Sequence, residues 1–117
     1  MRLVSLRKLA RSLPQVTMVE QWGGEVYKVC DKMFLLLSLE GGTLDGVVFK
    51  CPPDDFDGLT ELDGITQAPY FAKRHWVRLS EASALPPAEL ERRIRESYAL
   101  VVAKLPKTVQ ANIAKQS

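Results

Sequence analysis

Hydrophobic residues follow two different spacings along the chain, and these spacings predict helices at both ends with strands between them. Apolar residues that recur every three or four positions predict amphipathic helices. The predicted helices cover residues 2–12, residues 54–62, a long segment that opens at Pro86–Pro87 and ends before Pro106, and residues 107–115. Proline is tolerated in the first turn of a helix and breaks a helix interior, so the prolines mark the boundaries of the long helix.

Alternation with a period of two predicts the strands in the middle of the chain. These strands cover residues 25–30, 33–39, 45–51 and 73–79. Short turns separate the first three, which predicts an antiparallel meander, and the fourth is a further strand. Residues 14–24 are predicted to be a connection that turns at Gly23–Gly24. The strand at residues 33–39 is apolar on both faces, so it is central, covered on both sides, or covered by a partner subunit.

Together these elements predict an α+β fold in which an N-terminal helix and C-terminal helices pack on an antiparallel sheet. The 117 residues are predicted to form a single domain, long enough to bury a core without disulfide bonds. The two cysteines, Cys30 and Cys51, lack the spacing of a metal site. A reduced, cytoplasmic protein without metal or other cofactor is therefore expected. No apolar stretch is long enough to span a membrane, so no membrane partner is expected.

Charge is unevenly distributed along the chain. The formal net charge is +2, which is weaker than that of a typical dedicated nucleic-acid binder. Acidic residues concentrate within residues 40–63, whereas residues 1–19 and 64–80 carry basic residues and no acids. This distribution predicts one positive and one negative pole, and the positive pole would steer an anionic partner.

Residues 68–79 form a basic and aromatic stretch that contains the only histidine and no acid. Strand alternation divides it into two faces, with His75, Val77 and Leu79 on one and Arg74, Trp76 and Arg78 on the other. The first face is expected to pack into the fold, with His75 as a hydrogen-bonded structural residue. The second face has three interpretations: arginines that bind phosphates beside a stacking Trp76, a self-contained cation–π stack, or a core Trp76 flanked by arginines.

Short motifs occur along nearly the whole chain in a characteristic order. They are Leu13–Pro14, Glu20, Trp22–Gly23, Tyr27–Lys28–Val29, Lys32–Met33–Phe34, a strand ending in Lys50, Lys73–Arg74–His75–Trp76–Val77, Leu85–Pro86 and Ser97–Tyr98. Together they resemble the MmcQ/YjbR family of small bacterial proteins. Relatives often have Asn before the Lys/Arg–His–Trp block, where this chain has Ala72, so a polar role at that position is absent here.

The resemblance implies a fold similar to secretion chaperones and frataxin-like proteins, and a DNA-binding function associated with a double-wing arrangement of hairpins. The first hypothesis is therefore a non-enzymatic protein that contacts the DNA backbone with basic residues and stacks aromatic rings. The residues expected to contact DNA are Trp22, Lys28, Lys32, Lys73, Arg74, Trp76 and Arg78.

Two alternatives come from other classes of function. A protein-interaction module or homodimer is motivated by the two-sided apolar strand and by the chaperone-like fold that the resemblance implies. A small-ligand protein, enzymatic or not, is motivated by clustered ring side chains and predicts a cavity. That cavity would be lined by Trp22, Tyr70, His75 and Trp76.

Overall fold

The computed structural model describes residues 1–115 and consists of a six-stranded antiparallel sheet with helices packed against it. The strands are β1 (Val16–Gln21), β2 (Gly24–Val29), β3 (Lys32–Glu40), β4 (Thr43–Lys50), β5 (Ile65–Gln67) and β6 (Trp76–Leu79). The helices are α1 (Leu3–Ser12), α2 (Pro53–Thr60), α3 (Pro87–Val102) and α4 (Lys107–Lys115), with a 3-10 turn at Ala82–Ala84. The strand order is β1-β2-β3-β4-β6-β5, and the predicted α+β fold is confirmed. Among residues 1–115, no helix is both long and apolar enough to cross a membrane.

The sequence pattern misses two strands. β1 lies in residues 14–24, which were predicted to be a connection. It is an edge strand with mostly exposed positions, so only Val16 and Met18 contribute to the core and the alternation is weak. β5 has only three residues, too few for a period of two to be read.

The last predicted strand is shorter than its sequence pattern. β6 begins at Trp76, whereas residues 73–75 form a turn. Arg74 has a φ of 66°, in the left-handed region that a strand does not use. The backbone N–H of His75 donates a 3.2 Å hydrogen bond to the carbonyl of Ala72 and closes this turn. The prediction that residues 73–75 continue the strand is wrong.

One face of the sheet is covered by the helices. Buried residues from all four helices join inward residues of the strands in one hydrophobic cluster. The helices contribute Leu6, Leu9, Ala10, Phe56, Leu59, Leu90, Ile94, Tyr98, Val101 and Ile113. These residues follow the helical spacing seen in the sequence, and each large side chain buried this way stabilises the fold by about 1.5–3 kcal/mol.

A β-bulge in β3 changes which side chains enter this core. The register shifts between Tyr27 and Lys28 of β2, which leaves Phe34 as an extra residue in β3. Phe34 and its neighbour Leu35 are both fully buried among the helices, and the Phe34 ring meets Tyr98 in a T-shaped contact at 5.3 Å. Strict period-two alternation predicts Phe34 and Leu35 on opposite faces, and this prediction is wrong because the bulge brings both into the same core.

The opposite face, which we call the open face, has no helix over its centre. Its buried cluster consists of Val26, Leu36, Val48 and Ala68. No helix contributes a buried residue to this cluster; Met33, Phe71 and Trp76 pack against it instead. β3 lies between β2 and β4 and is buried on both faces within the chain, which accounts for its two-sided apolar pattern.

Candidate binding surface on the open face

Two cavities lie on the open face, and Trp22 and Phe71 line both of them. The first, which we call the lysine cavity, has a volume of about 360 Å³ and is lined by Trp22, Lys32, Met33, Lys50, Phe71, Trp76, Val101, Lys104 and Leu105. The second, which we call the aromatic cavity, has a volume of about 490 Å³ and is lined by Trp22, Leu36, Ser38, Val48, Pro69, Tyr70, Phe71 and Arg78. The lysine cavity combines positive charge with rings, whereas the aromatic cavity is largely apolar.

Three different elements bring lysines to the lysine cavity. Lys32 is the first residue of β3 and Lys50 is the last residue of β4. Because these strands are antiparallel, the start of one lies beside the end of the other. Lys104 follows the C-terminus of α3, which reaches around this end of the sheet. The fold thus gathers three lysines that are distant in sequence.

No carboxylate lines the lysine cavity. Burial lowers the pKa of the Lys50 ammonium below its usual value, and the positive charge of Lys104 lowers it further. Every salt bridge found among residues 1–115 has an arginine as its cation, so these lysines have no carboxylate partner there. Positive charge concentrated against an apolar wall attracts anions.

Aromatic rings form the walls of the lysine cavity. Phe71 and Trp76 pack against each other with ring centroids 5.3 Å apart and planes tilted by 35°. Trp22 lies at the β1–β2 turn with a φ of 52°, and its side chain is among the most exposed large apolar groups, at 69%. A ring this exposed is available for stacking on a planar ligand.

Arg74 does not share a stripe with Trp76 and Arg78, contrary to the sequence pattern. Its turn points the guanidinium at α2, where it donates two hydrogen bonds of 3.0 Å to the Asp57 carboxylate. It also lies 5.4 Å from the centroid of the Phe56 ring. The hydrogen bonds from Arg74 hold the pKa of Asp57 below its usual value. Part of the acidic run in α2 therefore serves to bind Arg74.

Arg78 lies on the open face but is also engaged. It donates a 2.8 Å hydrogen bond to the backbone carbonyl of Asp45, whose carboxylate is 3.6 Å away. The guanidinium crosses Gly46 so closely that a Cβ at that position would lie 2.6 Å from it. Only glycine at position 46 leaves room for this arrangement.

The remaining predicted site residues are dispersed. Lys28 faces the open side opposite Met33, and Lys73 is exposed in the turn before β6. Tyr70 is fully exposed and lines the aromatic cavity. His75 is half-buried and lines neither cavity; its backbone carbonyl accepts a 2.9 Å hydrogen bond from Cys51. The predicted cluster of Trp22, Tyr70, His75 and Trp76 is thus divided between two cavities and a structural turn.

Among the charged and aromatic residues that line the lysine cavity, sequence reasoning missed Lys50, Phe71 and Lys104. Period-two alternation predicts that Lys50 and Val48 share one face of the strand, but nothing in the sequence indicates a cavity on that face. Phe71 lies in a loop without periodicity. Lys104 follows α3, and no local pattern places a helix terminus beside a strand end.

Comparison with known proteins agrees with this fold. The model of the YjbR family matches residues 11–100 of the chain. The chain belongs to the YjbR family. A search of curated proteins found no match.

The solved structures that resemble this YjbR protein include the following two. The Deinococcus radiodurans protein DR2400, described as having domain DUF419, superimposes with a TM-score of 0.85 at 23% identity. That match covers 97% of this chain and 88% of the Deinococcus chain. A Pseudomonas syringae protein, structural genomics target PsR293, superimposes with a TM-score of 0.69 at 19% identity, over 86% of this chain and 98% of the other. At these identities the likeness shows a shared fold.

Proposed function

We propose that this YjbR protein binds DNA without catalysing a reaction, through lysine contacts to the phosphate backbone and stacking by exposed rings. The observation that carries the proposal is a group of lysines at one end of the open face with no salt bridge to a carboxylate among residues 1–115. The group consists of Lys28, Lys32, Lys50 and Lys104.

This arrangement has the two components that backbone binding requires. Lysines that neutralise phosphates release condensed counterions, which gives affinity without sequence preference. Trp22 exposes its ring next to the same surface, and a base stacked on an aromatic ring contributes about 1–3 kcal/mol. A modest net charge is compatible with this function because the positive charge is local.

In this proposal, two hairpins of the sheet act as the wings of the double-wing hypothesis. The turn between β1 and β2 carries Trp22. The turn between β2 and β3 lies between Lys28 and Lys32. In this proposal the first turn contacts bases and the second contacts phosphates.

The proposal gives the arginines a smaller role than the sequence suggests. Arg74 is bound to Asp57 and Arg78 to Asp45, so either would have to exchange a carboxylate for a phosphate. Trp76 lines the lysine cavity and Lys73 is exposed without a salt bridge among residues 1–115, so neither requires such an exchange. We therefore assign the main phosphate contacts to lysines.

Fluorescence anisotropy of a labelled duplex at low salt tests the proposal. The variant Lys28→Gln with Lys32→Gln is expected to bind about tenfold more weakly than the wild-type chain, because two phosphate contacts are lost. The matched control is Arg2→Gln with Lys8→Gln, which removes the same charge from exposed positions at α1 on the helix-covered side. Equal weakening in both variants, or no binding by the wild-type chain, would refute the proposal.

A cytoplasmic location is part of the same proposal. Cys30 and Cys51 are both free thiols, and free thiols persist in a reducing compartment. Self-association stays a prediction from the chaperone-like fold. The strand that motivated it, β3, buries its apolar residues inside the chain.

A further inference from the structure

The lysine cavity carries positive charge that no acidic side chain in its walls neutralises. Lys32, Lys50 and Lys104 are the ionisable residues that line it. Lys50 and Lys104 line the same cavity, and the charge of Lys104 lowers the pKa of Lys50. Two ammonium groups cannot bond to each other because each is only a donor. An anion bound between them would accept hydrogen bonds from both and relieve their repulsion.

The charge of the site favours a dianion over a single carboxylate. A phosphate monoester carries about −1.5 to −2 charges at pH 7 and offers three strong acceptor oxygens. A carboxylate offers one charge and two oxygens. Three ammonium groups on separate elements match the larger acceptor, because each can approach a different oxygen.

The rest of the cavity wall is apolar and aromatic. Met33, Val101 and Leu105 line it together with Phe71, Trp76 and the exposed Trp22. Its volume of about 360 Å³ falls within the ~300–1,000 Å³ range of ligand cavities. A ligand that fills it therefore carries a flat apolar body next to its anionic group.

We propose that the lysine cavity binds a phosphate monoester attached to an aromatic ring system, the chemistry of a nucleoside monophosphate. Lys50 and Lys104 hold the phosphate, with Lys32 at the rim, while Trp22 and the Phe71–Trp76 pair contact the ring. The same chemistry occurs in a free nucleotide and at the phosphorylated 5′ end of a DNA strand. The inference goes beyond backbone binding, because it requires a terminal phosphate monoester with its ring inside the cavity, and backbone binding requires neither.

Intrinsic fluorescence reports directly on this cavity, since the chain has two tryptophans and both line it. Adenosine 5′-monophosphate is expected to quench the emission of the full chain. Adenosine and inorganic phosphate should each bind at least about tenfold more weakly, because each lacks half of the recognised group. Adenosine binding as tightly as the monophosphate would overturn the proposal.

Two lysine variants test whether Lys50 and Lys104 bind the monophosphate. Lys50→Met keeps the aliphatic stem and removes the charge, and Lys104→Gln changes an exposed position that the fold tolerates. Each is expected to weaken binding of the monophosphate about tenfold, since each removes one charged donor. Lys8→Gln on α1 serves as the control and should leave the affinity unchanged. Wild-type affinity in Lys104→Gln and in folded Lys50→Met would also overturn the proposal.

Competition with single-stranded oligonucleotides distinguishes the two sources of the phosphate monoester, a free nucleotide and the 5′ end of a DNA strand. Displacement of the monophosphate by a 5′-phosphorylated strand, but not by the same strand with a 5′-hydroxyl, assigns the site to DNA ends. Displacement by neither strand assigns it to free nucleotides. Equal displacement by both strands would contradict recognition of a monoester.

The proposal for the cavity and the proposal of DNA binding can be refuted separately. A wild-type chain that binds the duplex but not the monophosphate overturns only the cavity inference. A chain that binds the monophosphate but not the duplex supports the cavity and overturns DNA binding.

Discussion

The hydroxyl of Ser97 on α3 accepts a 2.8 Å hydrogen bond from the backbone N–H of Lys50 at the end of β4. The same hydroxyl donates a 2.6 Å hydrogen bond to the carbonyl of Phe34 at the bulge of β3. Ser97 is fully buried, so both backbone groups depend on it in place of water. This one side chain ties the helix layer to the two central strands and fixes the backbone from which Lys50 enters the lysine cavity.

Replacing Ser97 by Ala should destabilise the fold. The change leaves a buried N–H and a buried carbonyl without their partner, which costs about 1–3 kcal/mol in the free energy of unfolding. Urea unfolding monitored by circular dichroism measures this loss. Ser5→Ala, at an exposed position of α1, should stay within about 0.5 kcal/mol of wild type. A Ser97→Ala variant as stable as that control would refute the role of the hydroxyl.

Arg92 and Arg93 are neighbours on α3 that both bind Glu89, yet they should differ in importance. The Arg93 side chain is only 11% exposed and also binds Asp55 of α2 at 2.7 Å and Glu96 at 3.0 Å. The Arg92 side chain is 55% exposed. Arg93 therefore joins two helices, whereas Arg92 forms pairs within α3 that solvent screens.

Thermal unfolding of Arg93→Met and Arg92→Met tests this difference. Arg93→Met is expected to lose about 1–2 kcal/mol of unfolding free energy, because it removes the largely buried link between α3 and α2 and leaves Asp55 without its partner. Arg92→Met should lose about 0.5 kcal/mol or less. Equal losses would show that burial does not distinguish the two ion pairs.

Glu25 should make the stability depend on acid pH. It is 6% exposed, accepts hydrogen bonds from Arg7 at 2.7 Å and 2.9 Å, and accepts one from the Tyr27 hydroxyl at 2.8 Å. The Arg7 hydrogen bond, helped by Tyr27, holds the pKa of Glu25 below its usual 4.5. The stabilisation is therefore complete above the unfolded pKa and is lost as pH falls through the lower folded pKa.

Chemical denaturation at several acidic pH values checks this dependence. The free energy of unfolding of the wild-type chain should fall as pH drops below about 4.5, and Glu25→Gln should show a shallower fall. Glu40→Gln, an exposed change at the β3–β4 turn, should follow the wild-type slope. If Glu25→Gln keeps the full wild-type slope, the pH dependence comes from other carboxylates.

The Lys50 ammonium should titrate below the usual value for a lysine in the absence of ligand. Burial and the charge of Lys104 both lower its pKa, and no carboxylate lines the cavity to oppose them. NMR of reductively methylated lysines, assigned with Lys50→Met, measures the titration. Lys104→Gln is expected to raise the pKa of Lys50, because it removes a repelling charge. An unshifted resonance after that change would mean that the two ammonium groups do not interact.

Much of the fold is predictable from sequence because its signals are local. Helix stripes such as Leu90 and Ile94 follow a spacing that burial on one face requires. Tyr98 lies on the same buried stripe, and its hydroxyl donates a 2.6 Å hydrogen bond to the carbonyl of Pro14. Strand alternation also placed Val77 and Leu79 in the core, where both are fully buried.

The candidate site was less predictable because it depends on register and on long-range partners. The bulge at Phe34 cannot be read from a strand that is apolar on both faces, since no alternation marks the shift. Arg74 has a basic side chain in a basic stretch, but its partner Asp57 is 17 residues away in another element. Whether a basic side chain is free or paired with a carboxylate therefore depends on the fold. The sequence pattern predicted arginines among the phosphate contacts, whereas the structure pairs those arginines and leaves the lysines of the cavity unpaired within residues 1–115.

The salt dependence of DNA binding tests the central claim most directly. The logarithm of the association constant is measured against the logarithm of salt concentration for a labelled duplex, with the wild-type chain and with Lys28→Gln plus Lys32→Gln. Each lost phosphate contact should make the slope shallower by about 0.9, so the double variant is expected to differ by about 1.8. Arg2→Gln with Lys8→Gln should keep the wild-type slope. A slope that the open-face substitutions leave unchanged would contradict the assignment of DNA backbone contacts to these lysines.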